Sequence, residues 1–105
     1  MIQSHCIVMT TFMDRDIAQR IITGLIDNKL AACVQTFPIT SHYRWQGSVE
    51  RSDELLAIIK TKDSLYNRVE EFILSLHDYD CPEVVQIPIS AGFGDYLAWI
   101  DDECG

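Results

Sequence analysis

Residues 29–50 read KLAACVQTFPITSHYRWQGSVE, and no other stretch constrains the fold as tightly. A small apolar run, Leu30-Ala31-Ala32-Cys33-Val34, leads past Pro38 to Ser41, Tyr43 and Trp45, which alternate with Thr40, His42 and Arg44. Period-two alternation predicts a strand with two unlike faces. Gln46-Gly47 offers a turn, and Val49 begins the return. Pro38 has no N–H to give a ladder, so the strand is interrupted, bulged or edge-exposed there. The pattern predicts one long, bent strand feeding a hairpin that projects beyond what a small domain needs. Tyr43 and Trp45 on that hairpin read as oligomer-interface residues, with a second copy of the chain as the natural partner, and ligand stacking is the alternative.

The rest of the chain supplies the layers around this hairpin. Residues 6–12 form a continuous apolar and β-branched run, as a central strand requires. Asp14 or Asp16 can cap a helix whose stripe is Ile17, Ala18, Ile21, Ile22, Leu25 and Ile26, with Gly24 weakening its interior and Asn28 as a left-handed stop. A buried strand at residues 55–59 ends in Lys60-Thr61. Asp63 then caps a second helix carrying Leu65, Val69, Phe72, Ile73 and Leu76. A last strand at residues 84–87 meets Pro88, which ends its ladder or marks an edge. Asp95 caps a short helix bearing Tyr96, Trp99 and Ile100, and the acidic residues 101–103 at its C-terminus favour fraying.

The predicted fold class is therefore α+β, a two-layer sandwich. It is a ferredoxin-like βαββαβ unit with a C-terminal helix, one domain over residues 1–105. One sheet face stays open, and the strands are too apolar to leave it in water. A homo-oligomer follows.

Composition closes off other classes. The formal net charge of −8 opposes binding of nucleic acid, which needs clustered Lys and Arg. No apolar run approaches the roughly 20 residues of a membrane span, and no signal-peptide pattern follows Met1, so no membrane is expected. Four cysteines without CxxC pairing read as reduced thiols in a cytoplasm. Without a phosphate loop, HExxH or nucleophile elbow, the chain is expected to bind rather than catalyse.

Five segments in order, KLAACV (29–34), SHYRWQG (41–47), IKT (59–61), HDYDCPE (77–83) and DYLAWI (95–100), resemble the divalent-cation tolerance proteins of the CutA family from about residue 7 to residue 101. The resemblance implies a tight trimer with long strands paired across subunits, similar in architecture to the PII signalling proteins. It also implies a cytoplasmic role in tolerance of copper and other divalent metals, with Cu(II) or another divalent cation bound and no organic cofactor. The alternative it leaves is a PII-like module that takes a small ligand in inter-subunit clefts and regulates a partner protein. Some members carry a first-strand cysteine and a His-His pair, proposed as copper ligands. Here Thr10 and Leu76-His77 stand in those places, and Asp78 replaces the usual proline.

His77, Glu83 and Cys81 are the metal candidates. They surround a turn closed by Pro82, and imidazole, carboxylate and thiolate suit copper or zinc. The competing reading makes His77 a helix cap and Cys81 a half-buried free thiol. Lys60 and Tyr79 are ligand-binding candidates that would line a subunit cleft with Glu83; a Lys60–Glu83 ion pair is the alternative. Cys33 is expected in the core, while Cys6 lies near one terminus and Cys104 near the other, exposed and oxidisable.

Overall fold

Helices and strands form where the apolar spacing places them, and the hairpin is longer than its alternation alone requires. The computed structural model describes residues 4–105. Its elements are β1 (His5–Phe12), α1 (Arg15–Asp27), β2 (Cys33–Trp45), β3 (Ser48–Lys62), a 3-10 turn (Asp63–Leu65), α2 (Tyr66–Leu76), β4 (Val84–Ile89) and α3 (Gly94–Glu103). The sheet runs β2-β3-β1-β4 with every pair antiparallel, which is the ferredoxin-like arrangement expected.

Pro38 does not interrupt β2. It sits in register against Leu55 on an edge strand, where a missing N–H is tolerated, and Pro88 occupies the other edge in the same way. The hairpin turns on Gln46 (φ 50°) and Gly47 (φ 84°), two left-handed residues whose twist matches the flanking strands. β3 is far longer than residues 55–59. Its polar first half pairs with β2 instead of entering the core.

One sheet face carries the core. Cys6, Val8 and Phe12 of β1 and Ala57 and Ile59 of β3 pack under Ile21 and Leu25 of α1 and Val69 and Ile73 of α2. Gly24 belongs to this packing, because a Cβ there would strike the Phe72 ring. The opposite face is apolar and open: Phe37 is 45%, Val85 44% and Ile87 42% exposed.

Several local expectations are corrected by tertiary contacts. The left-handed residue after α1 is Lys29 (φ 56°), whereas Asn28 keeps φ −90° and donates its side-chain amide to the Gly24 carbonyl. Asp63 opens the 3-10 turn and accepts from Gln86 Nε2; neither α2 nor α3 has a side-chain cap. The C-terminus is clasped instead of frayed. Asp101 bonds His5 at 2.8 Å, Lys62 Nζ donates to the Cys104 carbonyl, and the Gly105 amide donates to the Lys29 carbonyl. Cys104 is accordingly buried at 7% exposure, and burial raises its thiol pKa. Burial also pushes the Cys6 thiol up to about 11, so neither is primed to react.

Thr10 Oγ1 is the one buried side-chain oxygen or nitrogen among the described residues without a hydrogen-bond partner. A stranded hydroxyl is a desolvation cost without return. Thr10→Val is expected to stabilise the fold by about 1 kcal/mol, read as a raised urea midpoint. A lowered midpoint would show that the hydroxyl has a partner.

Candidate functional site

The segment leaving α2 wraps the end of β1 and returns to the sheet as β4. This brings residues 77–83 against the base of the β2–β3 hairpin, on the open face, and a cavity of ≈ 530 Å³ lies between them.

His77 anchors the segment from behind. Its side chain is 0% exposed and stacks on Phe12, centroids 5.1 Å apart and 13° from parallel. Nε2 lies 2.8 Å from the Thr11 carbonyl, and Nδ1 lies 3.2 Å from the Tyr79 amide nitrogen. A carbonyl only accepts and an amide N–H only donates, so both bonds are met with the proton on Nε2; the Asp78 carboxylate lies 3.5 Å from Nδ1 as well. Both nitrogens are then committed. A metal on either would displace one of these bonds inside a closed pocket.

Cys81 and Glu83 line the cavity and are exposed to it, whereas His77 does not line it. Among the described residues, no three His, Cys, Asp or Glu side chains converge closely enough to hold a metal ion. The set His77, Cys81 and Glu83 therefore does not fit a resident copper ion within one chain. Thr10, at the place of the first-strand ligand, is buried on the sheet's helix side.

Tyr79 lines the cavity and donates its hydroxyl to Glu54 Oε2 at 2.6 Å. Burial alone would raise the Glu54 carboxyl, but hydrogen bonds from Ser41, Tyr79 and Thr11 outweigh it and hold the group below the usual carboxylate range. Burial, then the Glu54 contact, raises the Tyr79 phenol. Glu54 thus stands as a fixed anion in the cavity wall. Sequence reasoning missed it, although a signal existed: Glu54 is in phase with Leu56 and Ile58 on the sheet's open face.

Tyr43 and Trp45 complete the wall from the hairpin, and Tyr43 is held by a 2.8 Å hydrogen bond between its hydroxyl and Ser52 Oγ. Lys60 is not part of this cavity. It lies six residues along β3 from Glu54, about 20 Å away at strand rise, with its ammonium 5.3 Å from the Tyr96 ring centroid. Within one chain, neither a Lys60–Tyr79 cleft nor a Lys60–Glu83 pair forms. Cys33, at the start of β2, is half-buried.

The family model described as CutA1 divalent ion tolerance protein matches residues 6–103. The chain is 38% identical over 100 residues to the divalent-cation tolerance protein CutA of Thermus thermophilus, covering 94% of this chain and 97% of that one. It is 42% identical over 87 residues to the CutA homolog of Xenopus laevis, of which it spans 58%. Among solved structures, CutA1 from Oryza sativa superposes with a TM-score of 0.93 at 37% identity, over 97% of this chain and 94% of that one. The structure from Archaeoglobus fulgidus, titled a periplasmic divalent cation tolerance protein, gives 0.91 at 35% identity, over 94% and 97%.

Proposed function

The chain belongs to the CutA1 divalent ion tolerance family, and from that premise we propose that it serves ion tolerance as a homotrimeric ligand-binding module, not as a copper store at His77. The trimer takes a small ligand in the cavity beside each hairpin and transmits its presence to a partner protein. The observation that carries this reading is His77 itself, buried with both ring nitrogens already bonded to the backbone.

Self-association is supported by the open apolar sheet face, with Phe37, Val85 and Ile87 half-exposed along it. Tyr43 and Trp45 stand beside that face and act as interface residues as well as cavity wall. The count of three comes from the family architecture. Four free cysteines suit the reducing cytoplasm as the place of action, and no helix among the described residues is long and apolar enough to cross a membrane.

A competing reading keeps divalent metal as the direct ligand, shared between copies through Cys81 and Glu83. The carboxylates in the cavity wall favour it. Calorimetric titration of the reduced, metal-free protein with Cu(II), Cu(I) and Zn(II) separates the two, with mass measured on the same samples. We expect an oligomer that binds these ions weakly, with no change in a Cys81→Ala, Glu83→Gln variant. A monomer, or submicromolar binding lost in that variant, would overturn the ligand-module reading.

A further inference from the structure

The cavity at the hairpin base has a chemistry that narrows its ligand. Three carboxylates line it, from Glu54, Asp80 and Glu83, and no Lys or Arg is among its described lining residues. His42 is the one basic side chain in the described lining, and an anionic ligand would meet repulsion from all three carboxylates. A cation is favoured, and two features decide which kind.

The first is the spread of the charges. Carboxylates that served a bare metal ion would have to converge within about 2.0–2.6 Å of one point. Among the described residues none do so in sets of three with a His, Cys or further carboxylate. Negative charge is instead distributed around a space of ≈ 530 Å³, which accommodates a small molecule. The second feature is the aromatic lining. Tyr43, Trp45 and Tyr79 contribute rings to the same wall, and an aromatic face attracts an alkylated or aryl ammonium that has shed part of its water. A small, strongly hydrated metal ion gains little from such a wall.

We propose that the cavity between residues 77–83 and the hairpin base is a binding site for an organic ammonium ion, with Glu54 as its principal counter-charge and Tyr43, Trp45 and Tyr79 as its aromatic walls. Glu54 is suited to this role by its setting. A carboxylate offers about four lone-pair positions, and the Tyr79 hydroxyl takes one. The other acceptor positions and the charge remain for the ligand, on a group that the Tyr79 hydroxyl orients. Glu83 and Asp80, both exposed at the rim, add attraction from a longer range. The assignment rests on the ligand-module reading above and names the chemical class that the module takes.

The test is calorimetric titration of the intact oligomer at fixed ionic strength with benzylammonium and spermidine. Benzyl alcohol is the uncharged control, and Zn(II) is the metal arm. Saturable binding of an ammonium probe, with benzyl alcohol at least roughly tenfold weaker, is the expected result. Glu54→Gln should weaken the ammonium by on the order of tenfold, since it removes a fixed charge and keeps the shape. Glu83→Gln, at an exposed rim position where the fold is not at risk, should weaken it less, by about twofold to fivefold, and the difference should shrink in high salt. Equal binding of benzyl alcohol would remove the cation preference while leaving a ligand cavity. No saturable ammonium binding, or binding unchanged in both variants, would overturn the site. Zn(II) outcompeting the ammonium at micromolar concentration would assign the charge to metal instead. The underlying module reading fails separately, by a monomeric mass or by tight metal binding lost with Cys81 and Glu83.

Discussion

His77→Ala is expected to lower the stability of the fold by about 3–5 kcal/mol, and to leave metal binding where it was. The imidazole is fully buried and stacked flat on Phe12, so its removal opens a void between β1 and the segment leaving α2. Aromatic-to-alanine changes in closed sites cost about 3–5 kcal/mol through lost contacts and the residual cavity. Two backbone groups lose partners at once, the Thr11 carbonyl and the Tyr79 amide. Relaxation of the loop into water would recover part of that, which is why the two losses are not simply added. Against a typical total of about 5–15 kcal/mol, the change is large. Urea unfolding followed by circular dichroism reads it, at one protein concentration throughout because the proposed association would contribute to the midpoint. His77→Gln keeps a donor and an acceptor on a flexible, non-aromatic side chain of similar reach, and should recover part of the loss. A stability within about 0.5 kcal/mol of the parent for His77→Ala, or copper stabilising the parent and not the variant, would return His77 to the metal.

The same residue shows how far the sequence could be read. HDYDCPE is legible as a turn between a helix and a strand, and the structure puts it there. Whether its histidine faces a ligand or the protein depends on Phe12 and Thr11, some 65 positions away, and no local pattern encodes that. The βαββαβ order was legible because periodicity and turn chemistry are local: Gln46-Gly47 does turn left-handed, and the apolar runs do form the central strands. The errors share one cause. Nearest neighbours mislead at Cys104, the acidic helix end and Asp63, because each is settled by a distant partner: Thr61 and Lys62, His5, and Gln86. Glu54 escaped notice for a related reason. A carboxylate beside an apolar strand looks like a surface charge until the sheet's open face brings Tyr79 and Ser41 onto it.

That open face also yields the second large effect. Ile87→Asp is expected to break the oligomer into single chains of 12.0 kDa, with the association constant falling by at least about a hundredfold. Ile87 lies on β4 opposite Ile7, next to Val85 and away from the helices, and it is 42% exposed on the isolated chain. A carboxylate there keeps its water in the free chain, so the fold itself should lose less than about 1 kcal/mol. In an assembly that seals the face, the same carboxylate would be stripped of water without a partner. That penalty of several kcal/mol falls on association alone. Leu74→Asp supplies the comparison, since Leu74 is 49% exposed on α2, in the helix layer on the other side of the sheet. Multi-angle light scattering at matched concentration should show Leu74→Asp at the parent's mass and Ile87→Asp at one third of it. Equal masses for all three would mean that the sheet face does not build the assembly. The hairpin edge of β2, which pairs only with β3 in one chain, would then have to do so by strand addition. The two routes differ in what they do to the cavity. Edge pairing through Tyr43 and Trp45 would cover two of the lining residues, whereas packing on the sheet face, where Glu54 stands, would add a second chain's surface to the rim. Loss of ammonium binding together with loss of mass in Ile87→Asp would therefore tie the site to the assembled face, and binding retained by the single chain would place the whole site within one subunit.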